Sequence, residues 1–142
     1  MPQPVVLLVE DNPDDIALAR RAMTRRNLAA RLEVATSGAE ALAQLHHSSQ
    51  KLPRAVFLDV NMPEWNGFEV LERLRANDRT RHLPVVMLTT STEPDDIATG
   101  YRLGANSFVT KPFDFEEFTE IFATMTTYWT GVNEVLDSAE PA

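Results

Sequence analysis

Glu10 and Asp11 stand side by side directly after the apolar run Val5–Val9. Asp59 ends the run Ala55–Leu58, Thr89 follows Val85–Leu88, and Lys111 follows Phe108–Thr110. Carboxylates, a hydroxyl and an ammonium therefore each sit at the C-terminal end of a short apolar segment. Two adjacent acids in that position are costly unless a cation neutralises them. Mg²⁺ takes a few carboxylate or carbonyl oxygens together with water and phosphate oxygens. A carboxylate beside such an ion can act as a nucleophile and hold a phosphoryl group as an acyl phosphate. Thr89 would offer a hydroxyl to a phosphoryl oxygen, and Lys111 a point charge to neutralise it. Singly, each residue has a plainer role: loop opener and helix cap, turn former, solvated lysine. Jointly they point to phosphoryl transfer.

These residues meet only if their segments are strands of one sheet. Strand and helix signals alternate five times, the pattern of a doubly wound α/β domain with a five-stranded parallel sheet and five helices. Sites in such sheets form outside the carboxyl ends of the strands. Val5–Val9, Ala55–Leu58 and Val85–Leu88 are near-continuous apolar runs, as central strands buried on both faces must be. Arg31–Ala35 alternates and reads as an edge strand, and the short Ser107–Thr110 suits the opposite edge. The first helix opens with Asn12 as N-cap, Pro13 at the first position, and Asp14 and Asp15 complementing the dipole. The other helices are predicted at about Gly38–His47, Gly67–Ala76, Glu93–Leu103 and Phe115–Trp129. Ser91 or Thr92 is the expected cap of the fourth helix, and Asp114 of the fifth. On the fifth, Phe115, Phe118, Phe122, Met125 and Trp129 form a stripe expected on the sheet. Ile121 and Tyr128 form a second stripe, a candidate surface for homodimerisation.

The chain has 142 residues, of which 44% are hydrophobic, enough for one soluble domain with a real core. Its formal charge of −8 disfavours nucleic acid as a partner and attracts cations. With no cysteine, disulfides, thiolate metal sites and cysteine nucleophiles are excluded. No segment approaches the ~20 apolar residues that span a bilayer. Met1-Pro2-Gln3-Pro4 lacks the basic leader of a signal peptide, so the expected location is the cytoplasm, with no membrane partner. Residues 1–130 read as the domain and 131–142 as a polar, frayed tail, with no room for an output domain.

Glu10-Asp11, Asp59-Val60-Asn61-Met62-Pro63 with Gly67, Leu88-Thr89-Thr90 and Lys111-Pro112-Phe113 together resemble the receiver domain of bacterial two-component response regulators. The similarity runs from about Val5 to Trp129, and the spacings match those of the single-domain chemotaxis receiver. Val9-Glu10-Asp11-Asn12-Pro13-Asp14-Asp15 and the Tyr128-Trp129 ending resemble a narrower group, single-domain receivers associated with phytochrome kinases.

The resemblance implies a flavodoxin-like strand order 2-1-3-4-5. It also implies a phosphorylation-controlled switch rather than an enzyme acting on other substrates. Asp59 would accept a phosphoryl group from the phosphohistidine of a sensor histidine kinase. Glu10, Asp11 and Asp59 would hold Mg²⁺, Glu10 through water, with the backbone carbonyl of Asn61. Thr89 and Lys111 would bind the phosphoryl oxygens, Phe108 would be the switch residue, and the Lys111-Pro112 bond would be cis. The altered surface would be read by a downstream protein. Glu10 departs from the commoner aspartate, and Phe108 brings no hydroxyl to a partner. The kinase is expected to dock on Asp15, Ile16 and Arg20 and on the Lys111-Pro112-Phe113 loop.

Two other classes share parts of this pattern. A haloacid-dehalogenase-like phosphohydrolase also forms an aspartyl phosphate, but needs a second acid two residues on, where this chain has Asn61. A flavodoxin-like cofactor carrier needs a phosphate loop after the first strand, where the acidic run 10–15 would repel a flavin phosphate. His46, His47 and His82 read as helix-end and surface residues. Trp65 is read as a lid over the site or a partner contact. Arg20, Arg21, Arg25 and Arg26 form a basic flank, either solvated or docking an acidic surface.

Overall fold

The computed structural model describes residues 3–47 and 51–136. Its apolar runs become the strands β1 (Val5–Val9), β3 (Ala55–Asp59) and β4 (Val85–Thr89), buried at every residue but Val5. β2 (Arg31–Ala35), with alternating exposure, and β5 (Ser107–Thr110), only partly buried, close the two edges. All pair in parallel in the order β2-β1-β3-β4-β5, as the alternation and the resemblance implied.

Alternate strand residues feed two cores, because side chains of a strand point to opposite faces. Leu7, Val9, Val56, Leu58, Val85 and Met87 pack on α2 (Gly38–Leu45) and α3 (Gly67–Ala76). Val6, Leu8, Phe57, Val86 and Leu88 pack on α1 (Pro13–Arg25) and α5 (Phe115–Thr127). Phe122 anchors the second core, edge-on to Phe57 and stacked with Phe118. α4 (Pro94–Arg102) covers the β4–β5 end of the first face through Gly100, which lies against Met87 and Phe108. Among the described residues no helix is long and apolar enough to cross a membrane.

Several boundaries differ from the sequence reading. Asn12 and Asp114 cap α1 and α5 with their side chains, as expected. The cap of α4 is Glu93, which makes no side-chain cap bond. Ser91 Oγ instead accepts from the Glu93 N–H and donates to Asp96, a local turn that competes with capping. α5 stops at Thr127 and passes into a π-helical turn, Tyr128–Val132, so helical structure runs two residues past the expected end of the domain at 130. The remainder of the expected tail, 137–142, lies outside the described residues. Phe115 is not on the sheet: Arg21 and Arg25 lie over its ring at 4.5 and 5.5 Å. Arg25 also pairs with Glu116 at 2.8 Å and Arg26 with Glu120, so much of the basic flank ties α1 to α5.

Candidate functional site

The parallel register brings the strand ends together: Val9 pairs with Leu58, Asp59 with Leu88, and Thr89 with Thr110. α3 is drawn tightly against the end of β3. Its first residue, Gly67, donates its N–H to the Val60 carbonyl at 2.9 Å. A Cβ at Gly67 would overlap the Asp59 carbonyl oxygen and lie 2.9 Å from Val60 Cα, so glycine is required by close approach. Asn66 and Glu69 form a reciprocal capping box that fixes the start of this helix.

Glu10 and Asp59 are buried, Asp11 is exposed, and the three present carboxylate oxygens within 4.8 Å of one another. The buried Lys111 ammonium donates to Glu10 Oε1 at 2.6 Å and to Asp15 Oδ2 at 2.9 Å, and lies 3.6 Å from Asp59 Oδ1. Glu10 Oε2 accepts from the Asn12 N–H, and Asp59 Oδ1 from the Asn61 N–H, both at 3.3 Å. Thr89 Oγ1 is fully buried and accepts from Asn61 Nδ2 at 3.2 Å and from the Ser91 N–H at 3.1 Å.

Burial pushes the Glu10 carboxyl up to about 7, against the pull of Lys111 and with the help of Asp59. Burial also raises Asp59, tempered by Lys111. For Lys111, burial favours the neutral amine, but the hydrogen bonds to Glu10 and Asp15 outweigh it and the ammonium is held more tightly than usual. One lysine thus faces three carboxylates, two of them reluctant to ionise, with Asp11 a further acid beside Asp59. A hard divalent cation suits this donor set. It needs oxygen ligands, and it would relieve the repulsion that one ammonium leaves in place.

The structure brings together Glu10, Asp11, Asp59, Asn61, Thr89 and Lys111, all singled out from the sequence. Phe108 lies one strand away, on β5, half-buried against α4. The Lys111-Pro112 bond is trans, as is every described peptide bond, correcting the expected cis isomer. The Lys111 N–H is held by the Thr89 carbonyl at 2.6 Å, and the chain reaches the Asp114 cap without the cis form, which costs more even before proline. Asp15, expected on the docking face, is turned to Lys111 instead. Ile16 and Pro112 are half-buried, Arg20 is exposed, and Phe113 is 97% exposed. Trp65 packs on Gly38 and under the Arg73 guanidinium, 4.3 Å from its ring centre, in the first core rather than over the site.

Two contacts escaped the sequence reading. The Asp15–Lys111 pair had a weak signal in the acids of the first helical turn, which face the strand ends. The Asn61 amide on Thr89 had none, since it depends on the path of the loop after β3.

Residues 6–123 match the family described as the response regulator receiver domain. The chain belongs to the receiver family. It is 39% identical over 132 residues to the probable methanogenesis regulatory protein FilR2 of Methanothrix harundinacea, covering 91% of this chain and 85% of that protein. The response regulator Rcp1 of Synechocystis is 30% identical over 132 residues, 90% of each chain. The structure of the Mn²⁺-bound form of Rcp1 superposes with a TM-score of 0.83 at 28% identity, over 95% of this chain and 99% of that one. The phosphorylated cyanobacterial phytochrome response regulator RcpA superposes with a TM-score of 0.86 at 28% identity, over 94% and 99%. Receivers are phosphorylation-dependent signalling proteins, and this one is a relative of the phytochrome-associated group.

Proposed function

We propose that this receiver takes a phosphoryl group from a sensor histidine kinase onto Asp59 and signals through protein contacts. The observation that carries the reading is the buried Asp59 carboxylate beside a buried lysine and two further acids at the end of the central strand. An Asp59 oxygen attacks phosphorus, the nitrogen–phosphorus bond of the phosphohistidine breaks, and the imidazole leaves with its electron pair. Glu10, Asp11 and Asp59, with the Asn61 backbone carbonyl, would hold Mg²⁺. When bound, that ion screens the acids and neutralises charge on the phosphoryl oxygens. Lys111 has two of its three N–H groups on Glu10 and Asp15, leaving the third for a phosphoryl oxygen. The Thr89 hydroxyl is free to donate, because its present bonds only accept.

The kinase is proposed to dock over the mouth of the site. Phe113, almost fully exposed next to Lys111, would be the apolar anchor, with Pro112, Ile16 and Arg20 around it. The names of this chain's structural relatives, a cyanobacterial phytochrome response regulator and a bacteriophytochrome response regulator, make a phytochrome-type kinase the first to try. A cytoplasmic location and pairing of two copies across α5 belong to the same proposal. Incubation with Mg²⁺ and either acetyl phosphate or a phosphorylated kinase should label Asp59 alone. Equal labelling of Asp59→Asn would sink the assignment. Repeated turnover of small phosphate esters would instead favour a phosphohydrolase.

A further inference from the structure

Gly100 lies in the last turn of α4 and is buried. A Cβ built there would stand 2.8 Å from Cδ2 and 3.1 Å from Cε2 of Phe108, with Met87 Cγ at 3.7 Å. Carbon atoms pack best at about 3.5–4.0 Å, so the place of a side chain is already taken by the ring. Glycine is a poor helix former, and it is tolerated where a backbone must approach a neighbour closely. The N-cap of α4 makes no side-chain bond, and Ser91 reaches the helix through Asp96.

The position of this contact matters. Phe108 pairs with Met87 on β4, two residues before Thr89 at the acidic site. On the other side, Tyr101 follows Gly100 directly and is one of the large apolar side chains left exposed. The ring therefore links the strand beside β4, which carries Thr89, to the turn of α4 that carries Tyr101.

We propose that Gly100 is a positioning residue, a seat for the Phe108 ring through which the acidic site bears on α4 and on the face carrying Tyr101. The proposal rests on reading Phe108 as the residue that responds to phosphate. The ring packs directly on the α4 backbone, so a movement of the ring changes what α4 rests on. The coupling is one of packing: the phenyl ring has no polar group with which to pull on the helix.

A double-mutant cycle tests the seat by thermal unfolding of Gly100→Ala, Phe108→Ala and the pair. Helix propensity alone would give the Gly100→Ala variant a rise in Tm of roughly 3 °C. With Phe108 present, overlap with the ring should cancel that rise or reverse it. With Phe108→Ala the rise should appear in full. The same rise in both backgrounds would overturn the seat. The second arm maps amide shifts on adding Mg²⁺ and beryllofluoride, a phosphoryl mimic, to wild type and to Gly100→Ala. The variant should keep the shifts around Asp59 and Lys111 and lose most of those in α4. Undiminished α4 shifts in the variant would overturn the coupling. No shift near Asp59 in the wild type would overturn the phosphoryl reading and with it the signalling role of the seat, while the unfolding cycle would still decide the contact itself.

Discussion

Burial makes the Glu10 carboxyl reluctant to ionise, even with Lys111 beside it. Its folded value of about 7 lies above the ordinary 4.5, so the folded chain binds more protons than the unfolded chain between those values. The stability from this proton is fully present below pH 4.5 and lost as pH rises through about 7. The loss is on the order of 3 kcal/mol. In metal-free protein the Glu10 contribution to Tm should therefore be larger at about pH 5 than at about pH 8. Glu10→Gln, which cannot ionise, should retain more of its stability across that interval than the wild type does. Equal losses would show that Glu10 is not the titrating group. Mg²⁺ needs the ionised acids, so it should raise wild-type Tm more at about pH 8 than at about pH 5. The sequence showed which residue types stand at the strand ends, because chemistry and strand position are both local. It did not show that Lys111 is buried on Glu10 and Asp15, which depends on how α1 is rotated against the sheet. Lys111→Ala should for that reason lower metal-free stability, measured by urea unfolding, as well as blunting the response to phosphate. Unchanged stability would mean that Glu10 simply takes up a proton in its place.

The tightest constraint among the elements is where α3 meets the end of β3. Gly67 faces backbone atoms of Asp59 and Val60, which cannot swing aside as a side chain can. Gly67→Ala should displace the strand end, lower Tm and slow labelling of Asp59 together. Asn66→Ala, which removes only the cap, should cost about 1 kcal/mol and leave the labelling rate nearly unchanged. Equal slowing in both variants would mean that helix stability, not close approach, governs the site. The strands were legible in the sequence because interior parallel strands must be apolar throughout, as at Val56, Phe57 and Leu58. Helix ends were less so. The Asn12 and Asp114 caps rest on one side chain and one N–H, whereas Ser91 chose a turn with Asp96 over capping α4. The π-helical turn at Tyr128–Val132 is a change of hydrogen-bond register that residue types do not announce.

At the scale of the whole molecule, the question is what the exposed face beyond α5 meets. Ile121 is half-buried against the second core, so only part of the expected second stripe is open. Tyr128 is 43% exposed and lies edge-on to Trp129 with ring centres 4.8 Å apart, and Val132 one turn on is more exposed still. Such a patch is small, and two copies joined by a two-fold axis would cover it twice over. The net charge of −8 opposes association over long range, an effect that salt screens within about 8 Å at physiological ionic strength. Pairing across α5 should therefore strengthen with added salt, the opposite of what an interface held by ion pairs would do. Tyr128→Glu is the sharp variant, since it adds charge to the patch without entering the core. Ile121→Glu would also disturb the packing beneath. Sedimentation at micromolar concentration, with and without beryllofluoride, should find a dimer that Tyr128→Glu dissociates. A monomer under every condition would leave α5 as a face for a different protein.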